Sequence, residues 1–266
     1  MDPGMITGSV LIGLLAGMLV GLTGIGGGVL LLPLLVSVLG VPPMIAVGSD
    51  ALISCLTKIG AGGLHWYQGN VRWRLVFQLS CGSVPGAVLG VTLLQNLHRE
   101  YGSAVNDFLR IAIGALLVVI PCLYLVCLYV RNGSVTSGRL PEIKNGFGIT
   151  IIGFVAGVLV GVTSIGAGSV ILLMLLIFYG LAPANAVGTD IVHGVLLAGV
   201  TGLLQFKVGN VDLILVAAVL AGSIPGSILG VYLTRHLPSV NWKGILCALL
   251  VGVGARILWT VLRHGS

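Results

Sequence analysis

Charge is what this chain has least of. Only 8% of its 266 residues are Asp, Glu, Lys or Arg, and none of them falls between Asp2 and Asp50. Those 47 residues are more than twice the roughly 20 that a helix needs to cross a bilayer. So scarce a charge excludes a soluble globular surface, where about a quarter of residues are charged. Further charge-free stretches run over 75–97, 111–130, 145–189 and 213–234, and shorter apolar ones over 51–65, 191–206 and 244–262 carry Lys58, His193 and Arg256. Eight apolar regions in one chain with mean hydropathy +1.14 describe a polytopic membrane protein, all-α because a spanning helix satisfies its own backbone.

Other shortages exclude other chemistries. The cysteines are five, Cys55, Cys81, Cys122, Cys127 and Cys247, an odd number without metal-site spacing, and they are read as small packing residues. No Gly-Lys-Ser/Thr follows the glycines and no G-x-G-x-x-G is completed, so a nucleotide site is excluded; no His-Glu-x-x-His appears either. Neither metal nor cofactor is expected, and the chain is not expected to be an enzyme. The net charge of +6 comes from Lys and Arg at segment ends, where such residues meet lipid headgroups and set orientation. It argues for a bilayer as partner and against nucleic acid. The first apolar run lacks a basic start and a small-residue cleavage site, so it is read as part of the fold rather than as a signal peptide.

Glycine is what the chain has in abundance, 42 residues, and the densest cluster is Gly21-Leu-Thr-Gly-Ile-Gly-Gly-Gly28. A helix interior pays about 1 kcal/mol per glycine relative to alanine, so a cluster at membrane depth predicts a broken helix. The cluster recurs. At an offset of 140, Gly161-Val-Thr-Ser-Ile-Gly-Ala-Gly168 lies over it, Ala-Val-Gly-Thr-Asp190 over Ala-Val-Gly-Ser-Asp50, Gly209-Asn-Val over Gly69-Asn-Val, and Gly222-Ser-Ile-Pro-Gly over Gly82-Ser-Val-Pro-Gly. Residues 21–91 and 161–231 share 28 identities in 71 positions without a gap, which is an internal duplication.

The expected organisation is an N-terminal membrane repeat (1–130), a polar linker (131–146) carrying Arg131, Arg139 and Lys144, and a C-terminal membrane repeat (147–266). About eight to ten spanning or half-spanning helices are implied. If each opening region crosses once, a repeat has four spans and the copies are parallel; if the glycine cluster separates two crossings, there are five and the copies are inverted. The loop charges do not decide between them, and an inverted pseudo-two-fold pair is the expectation.

Such repeats build transporters with a midplane substrate site at broken helices. Freed N–H groups at a half-helix start carry partial positive charge and suit an anion. The candidate binding residues are Thr23, Gly24, Gly26, Gly27 and Gly28 with Thr163, Ser164, Gly166 and Gly168. Close helix packing is the alternative for these glycines. Asp50 and Asp190 are candidates for coupling or gating, or for capping the next helix with Ser49 or Thr189. Lys58, eight residues after Asp50, could pair with that acid, attract an anion or snorkel; His193 could shuttle protons or bond in the core. Both break the symmetry, their counterparts being Ala198 and Ile53. Asn70 and Asn210 recur as turn, cap or gate residues; Trp66, Tyr67 and Trp73 read as an interfacial belt; Pro85 and Pro225 predict matched kinks.

In order, spacing and duplication these motifs resemble the sulfite exporter TauE/SafE family of membrane permeases, over nearly the whole chain. The resemblance implies a multi-pass transporter of the cell (inner) membrane that moves a small sulfur-containing anion such as sulfite or an organosulfonate, outward. Ser164 and Ala167 stand where Gly24 and Gly27 do, so the half-sites differ. A passive anion channel on the same scaffold is the alternative, and a homodimer is a candidate assembly. Without an ATPase motif, the energy is expected from an ion gradient or from the substrate's own.

Overall fold

The computed structural model describes residues 3–23, 28–133, 146–165, 168, 171–172, 175, 179, 181, 183–234 and 242–264, and none of these forms a strand. Nine helices are described: α1 (Pro3–Thr23), α2 (Gly28–Ser37), α3 (Pro43–Tyr67), α4 (Trp73–Tyr101), α5 (Ala104–Gly133), α6 (Gly146–Thr163), α7 (Pro183–Lys207), α8 (Leu213–Thr234) and α9 (Trp242–His264). Five stretches are long and apolar enough to cross a membrane: Pro43–Tyr67, Trp73–Tyr101, Ala104–Cys122, Ala184–Lys207 and Leu213–Gly230. Shorter apolar helices cover Gly4–Leu19, Phe147–Thr163 and Leu250–Thr260. Outward faces carry Leu11, Leu15, Phe77, Leu93, Ile151 and Ile228, side chains that lipid accepts and water does not.

Charge-free runs are not helix boundaries. Pro43 and Pro183, at the first helical position where a missing N–H costs nothing, open α3 and α7, and both helices continue straight through Asp50 and Asp190. The long first run instead holds α1, α2 and the start of α3. At ten residues α2 is about 15 Å long, too short to span. It is clad in protein: Leu30, Leu31, Leu32 and Leu35 are all buried, as are Ile171 and Leu175 at the positions 140 later that match Leu31 and Leu35.

Backbones approach most closely at glycine. On α1, a Cβ at Gly13 or Gly17 would strike the carbonyls of Val219 and Ser223 on α8, and in return Gly222 and Gly226 take the carbonyls of Val10 and Leu14. Positions 140 away repeat the contact: Gly153 and Gly157 of α6 lie on the carbonyls of Leu79 and Ser83, and Gly82 and Gly86 of α4 on those of Thr150 and Phe154. Numbering rises together along both members of each pair, so α1 runs parallel to α8 and α4 parallel to α6. The third crossing is antiparallel: Gly48 meets Asn210, Leu52 meets Gly202, Cys55 meets Gly199 and Gly62 meets Val195. Where α5 meets α9, Gly114 lies against Leu258 and Gly254 against Leu117, again antiparallel.

Two hydroxyls extend this exchange. Ser49 accepts the N–H of Asp212 (3.1 Å) and Thr189 accepts the N–H of Arg72 (3.0 Å), and Asp212 and Arg72 immediately precede α8 and α4. Ser49 and Thr189 thus do cap helix starts, but those of the other half of the chain, and they sit two turns inside their own helices. The expectation that they and the aspartates cap the next helix is corrected on this point. Asp212 also accepts from Ile214 and Leu215 N–H through Oδ1.

Replacing Gly86 or Gly157 with valine should drive the α4–α6 crossing apart and cost about 3 kcal/mol or more, since overpacking against backbone cannot be relieved by a rotamer change. Gly60→Ala, in the interior of α3 where a Cβ meets nothing within 4 Å, should stabilise by up to about 1 kcal/mol. Detergent melting curves of the three variants check the contrast.

Candidate functional site

The described site gathers where α6 ends. Thr163 is its last helical residue, and the next, Ser164, takes φ +56, alone among the described non-glycine residues in having positive φ. Left-handed backbone suits glycine, which stands at the matching position 24, and costs other residues about 1 kcal/mol. Serine is kept there with a bond to show for it: its hydroxyl donates to Asp50 Oδ2 at 2.8 Å. Helix α6 thereby ends against the second turn of α3. Asp50 is fully buried and its Oδ1 has no partner.

Asp190, the matching acid on α7, is buried as well, with Oδ1 unpartnered. Its Oδ2 lies where a Cβ at Gly168 would come within 3.3 Å, so a larger residue at 168 would crowd the carboxylate. One turn on, His193 is fully buried and shares a 2.8 Å hydrogen bond between Nε2 and Ser83 Oγ of α4, leaving Nδ1 without a partner. The equivalent pair is absent: Ile53 replaces the histidine, and the Ser223 hydroxyl is buried and unpartnered. Each orphaned buried polar atom costs about 1–3 kcal/mol, so the three on Asp50, Asp190 and His193 are a standing expense that packing does not explain.

Lys58 projects from α3 onto α7, its Nζ 3.0 Å from where a Cβ at Gly194 would stand. It is the positive charge that bears on Asp50, Asp190 and His193 together. Arg110 pairs with Asp107 on the exposed face of α5, whereas no salt bridge joins Lys58 to Asp50. Snorkelling does not describe it either, since its head lies against the middle of α7.

The remaining candidates separate. Thr163 turns its hydroxyl onto its own backbone, donating to the Leu159 carbonyl at 2.7 Å. Thr23 ends α1 and Gly28 begins α2, while Gly24, Gly26, Gly27 and Gly166 lie outside the described residues. Asn70 and Asn210 follow left-handed glycines, Gly69 (φ +72) and Gly209 (φ +82), and return their N–H to the carbonyls of His65 and Gln205 at 3.0 Å. These close the α3–α4 and α7–α8 turns. Asn210 also donates to Gln205 Oε1 (2.8 Å), and buried Gln205 reaches the Gly161 carbonyl (3.4 Å) near the end of α6. Trp66 and Trp73 meet edge to face, 5.8 Å between centroids, at the exposed α3–α4 turn. Pro85 and Pro225 lie inside continuous helices α4 and α8, between the glycines of the close crossings.

Ser83 was the functional neighbour hardest to see in sequence. It belongs to the repeated Gly-Ser-x-Pro-Gly block, where proline suggests a kink, and nothing local says that its hydroxyl meets a histidine 110 residues later. No group of three or more His, Cys, Asp or Glu able to hold a metal occurs among the described residues.

The family model for the sulfite exporter TauE/SafE matches residues 9–257. The chain belongs to that family. Among curated proteins it is 35% identical over 251 residues to the probable membrane transporter protein YjnA of Bacillus subtilis, covering 94% of this chain and 98% of that one. It is 25% identical to the probable membrane transporter protein YdhB of the same organism, over 89% of this chain and 94% of YdhB. A probable membrane transporter protein of Haemophilus influenzae is 29% identical, with 91% and 94% covered. No solved structure matches. As a TauE/SafE member the chain is a multi-pass membrane transporter, and the buried polar cluster between its helices is the place where such a protein departs from pure packing.

A Ser164 series should separate strain from bonding. Ser164→Ala keeps the left-handed cost and loses the bond to Asp50, so it should be about 2 kcal/mol less stable than the native protein. Ser164→Gly loses the same bond but relieves the backbone, and should recover about 1 kcal/mol of that. The order of melting temperatures, native above Gly above Ala, is the measurement.

Proposed function

We propose that this protein is a secondary transporter that exports a small sulfur-containing anion, such as sulfite or an organosulfonate, across the cell (inner) membrane. One observation carries the reading: the end of α6, broken at Ser164, is delivered onto buried Asp50, and Gly168 onto buried Asp190, with unpartnered polar atoms left between them. Family membership supports transport; the polar cluster where α6 ends supports a small polar cargo at a helix break, and the Lys58 ammonium that bears on it supports an anion. Thr23, Gly24, Gly26, Gly27 and Gly28 are placed with Ser164, Gly166 and Gly168 around the cargo, Asp50, Asp190, Lys58 and His193 in coupling. Thr163, Asn70 and Asn210 are assigned to shaping the helix ends.

Two inverted repeats, 1–130 and 147–266 joined by a polar linker at 131–146, form the frame of this proposal. The antiparallel register of α3 on α7 and of α5 on α9 supports it, because matching helices that cross in opposite senses place the pseudo-two-fold axis in the membrane plane. The parallel run of α1 with α8, which is antiparallel to α7, means that α1 and α3 point the same way. Chain between them must therefore return, which favours five passes per repeat over four.

Topology is testable with single cysteines at Gln68 and Val208, both exposed in turns, in a background where the five native cysteines are alanine. Inverted repeats require an impermeant maleimide to label the two positions from opposite sides of sealed vesicles; labelling from one side returns the repeats to parallel. Function is tested by melting the purified protein with sulfite, thiosulfate, sulfate, sulfoacetate, taurine and chloride. A bound anion stabilises by about 2.7 kcal/mol at a hundredfold excess over its Kd, so a shift selective for one sulfur oxyanion is expected. Equal response to chloride would sink the sulfur assignment.

A further inference from the structure

One charge stands at the centre of the α3–α7 crossing. Lys58 is near the middle of α3, and Gly194, which its Nζ touches, is at the middle of α7. Gly194 clears the space, since any side chain there would meet the ammonium. Asp190 lies four residues before Gly194 and so shares a face of α7 with it, one helical turn from the residue that the ammonium faces. Asp50 lies on the other side, eight residues or about 12 Å back along α3, held by Ser164 rather than by the lysine. The one cation thus has an acid on each side of it and is paired with neither.

Lys58 is half-buried, and an ammonium set among apolar helices still gains from a counter-charge. Two flanking carboxylates give Lys58 a partner in either direction along the crossing. We propose that Lys58 is the residue that receives the transported anion, and that Asp190 and Asp50 are its alternate partners on the two sides when the anion has left. This rests on the reading of the protein as an anion transporter but not on which anion it carries. The duplication supplies a control that few sites offer: Ala198, buried on α7, is the equivalent of Lys58, and Ser54 on α3 is that of Gly194, so with inverted repeats a lysine at 198 facing a glycine at 54 should set an ammonium at the symmetry-related place.

The experiment is calorimetric titration of the purified full chain with sulfite, thiosulfate, sulfate, phosphate and chloride, on the native protein, Lys58→Met, and the exchange variant Lys58→Ala with Ala198→Lys and Ser54→Gly. The strongest-binding anion should weaken by about 10-fold or more in Lys58→Met, as removal of a partly desolvated charge partner does, and the exchange variant should return most of that loss. Should phosphate bind in place of every sulfur oxyanion and be lost with Lys58, the sulfur assignment fails and Lys58 stands. Native affinity retained in Lys58→Met overturns the role of Lys58 and leaves the substrate reading intact. If Lys58→Met does not fold, the exchange variant decides: a folded exchange variant that binds no anion overturns the proposal. Absence of binding by the native protein to all five anions overturns both readings.

Discussion

No side chain stands between α4 and α6, or between α1 and α8, where glycine after glycine lies on the carbonyl of the neighbouring helix. The other contacts depend on that approach. In lipid, apolar side chains gain little by leaving one hydrocarbon for another, so helices associate through close van der Waals packing and polar contacts instead. Every one of the glycines just named is matched 140 residues away, and each of these crossings joins one half of the chain to the other. Neither half could bury its glycine faces alone.

The same exchange places the polar groups. Because α4 and α6 meet so closely, the end of α6 is brought to α3 and Ser164 reaches Asp50. Because α3 and α7 cross antiparallel, Ser49 and Thr189 accept from the starts of α8 and α4, Thr189 while donating its own hydroxyl to the Asn185 carbonyl. Capping in this protein passes between halves, which ties the position of each acid to a helix start on the opposite copy. A shift of α3 against α7 would alter both caps and both carboxylates at once.

Symmetry fails where chemistry is wanted. His193 with Ser83 has no match in the other half, where Ile53 and an unpartnered Ser223 stand; Lys58 is answered by Ala198; Ser164 stands in left-handed backbone where the copy has glycine. Folding alone would be served as well by the apolar or small residue in each case. Departures from a duplicated frame that also bury unsatisfied polar atoms are costly, and transport across the cluster gives a reason for the cost.

The membrane class, the recurrence of motifs 140 residues apart and the interruption after Thr163 were legible in the residues themselves, because each rests on local features: scarce charge demands lipid, and clustered glycine weakens a helix. The sequence also singled out Asp50, Asp190, Lys58 and His193, since charge in an apolar run is conspicuous at any distance. Its alternative reading of Asp50 and Asp190 as helix caps fails, because both helices carry the acid through the second turn; Ser164 at the end of α6 donates to Asp50, and Asp190 lies against Gly168. Ser83 beneath His193, Ser49 and Thr189 as caps for the opposite half, and the antiparallel sense of α3 on α7 were decided by tertiary structure alone. Each is a contact between residues more than a hundred positions apart, and no local propensity distinguishes a serine that will meet a histidine from one that will face nothing.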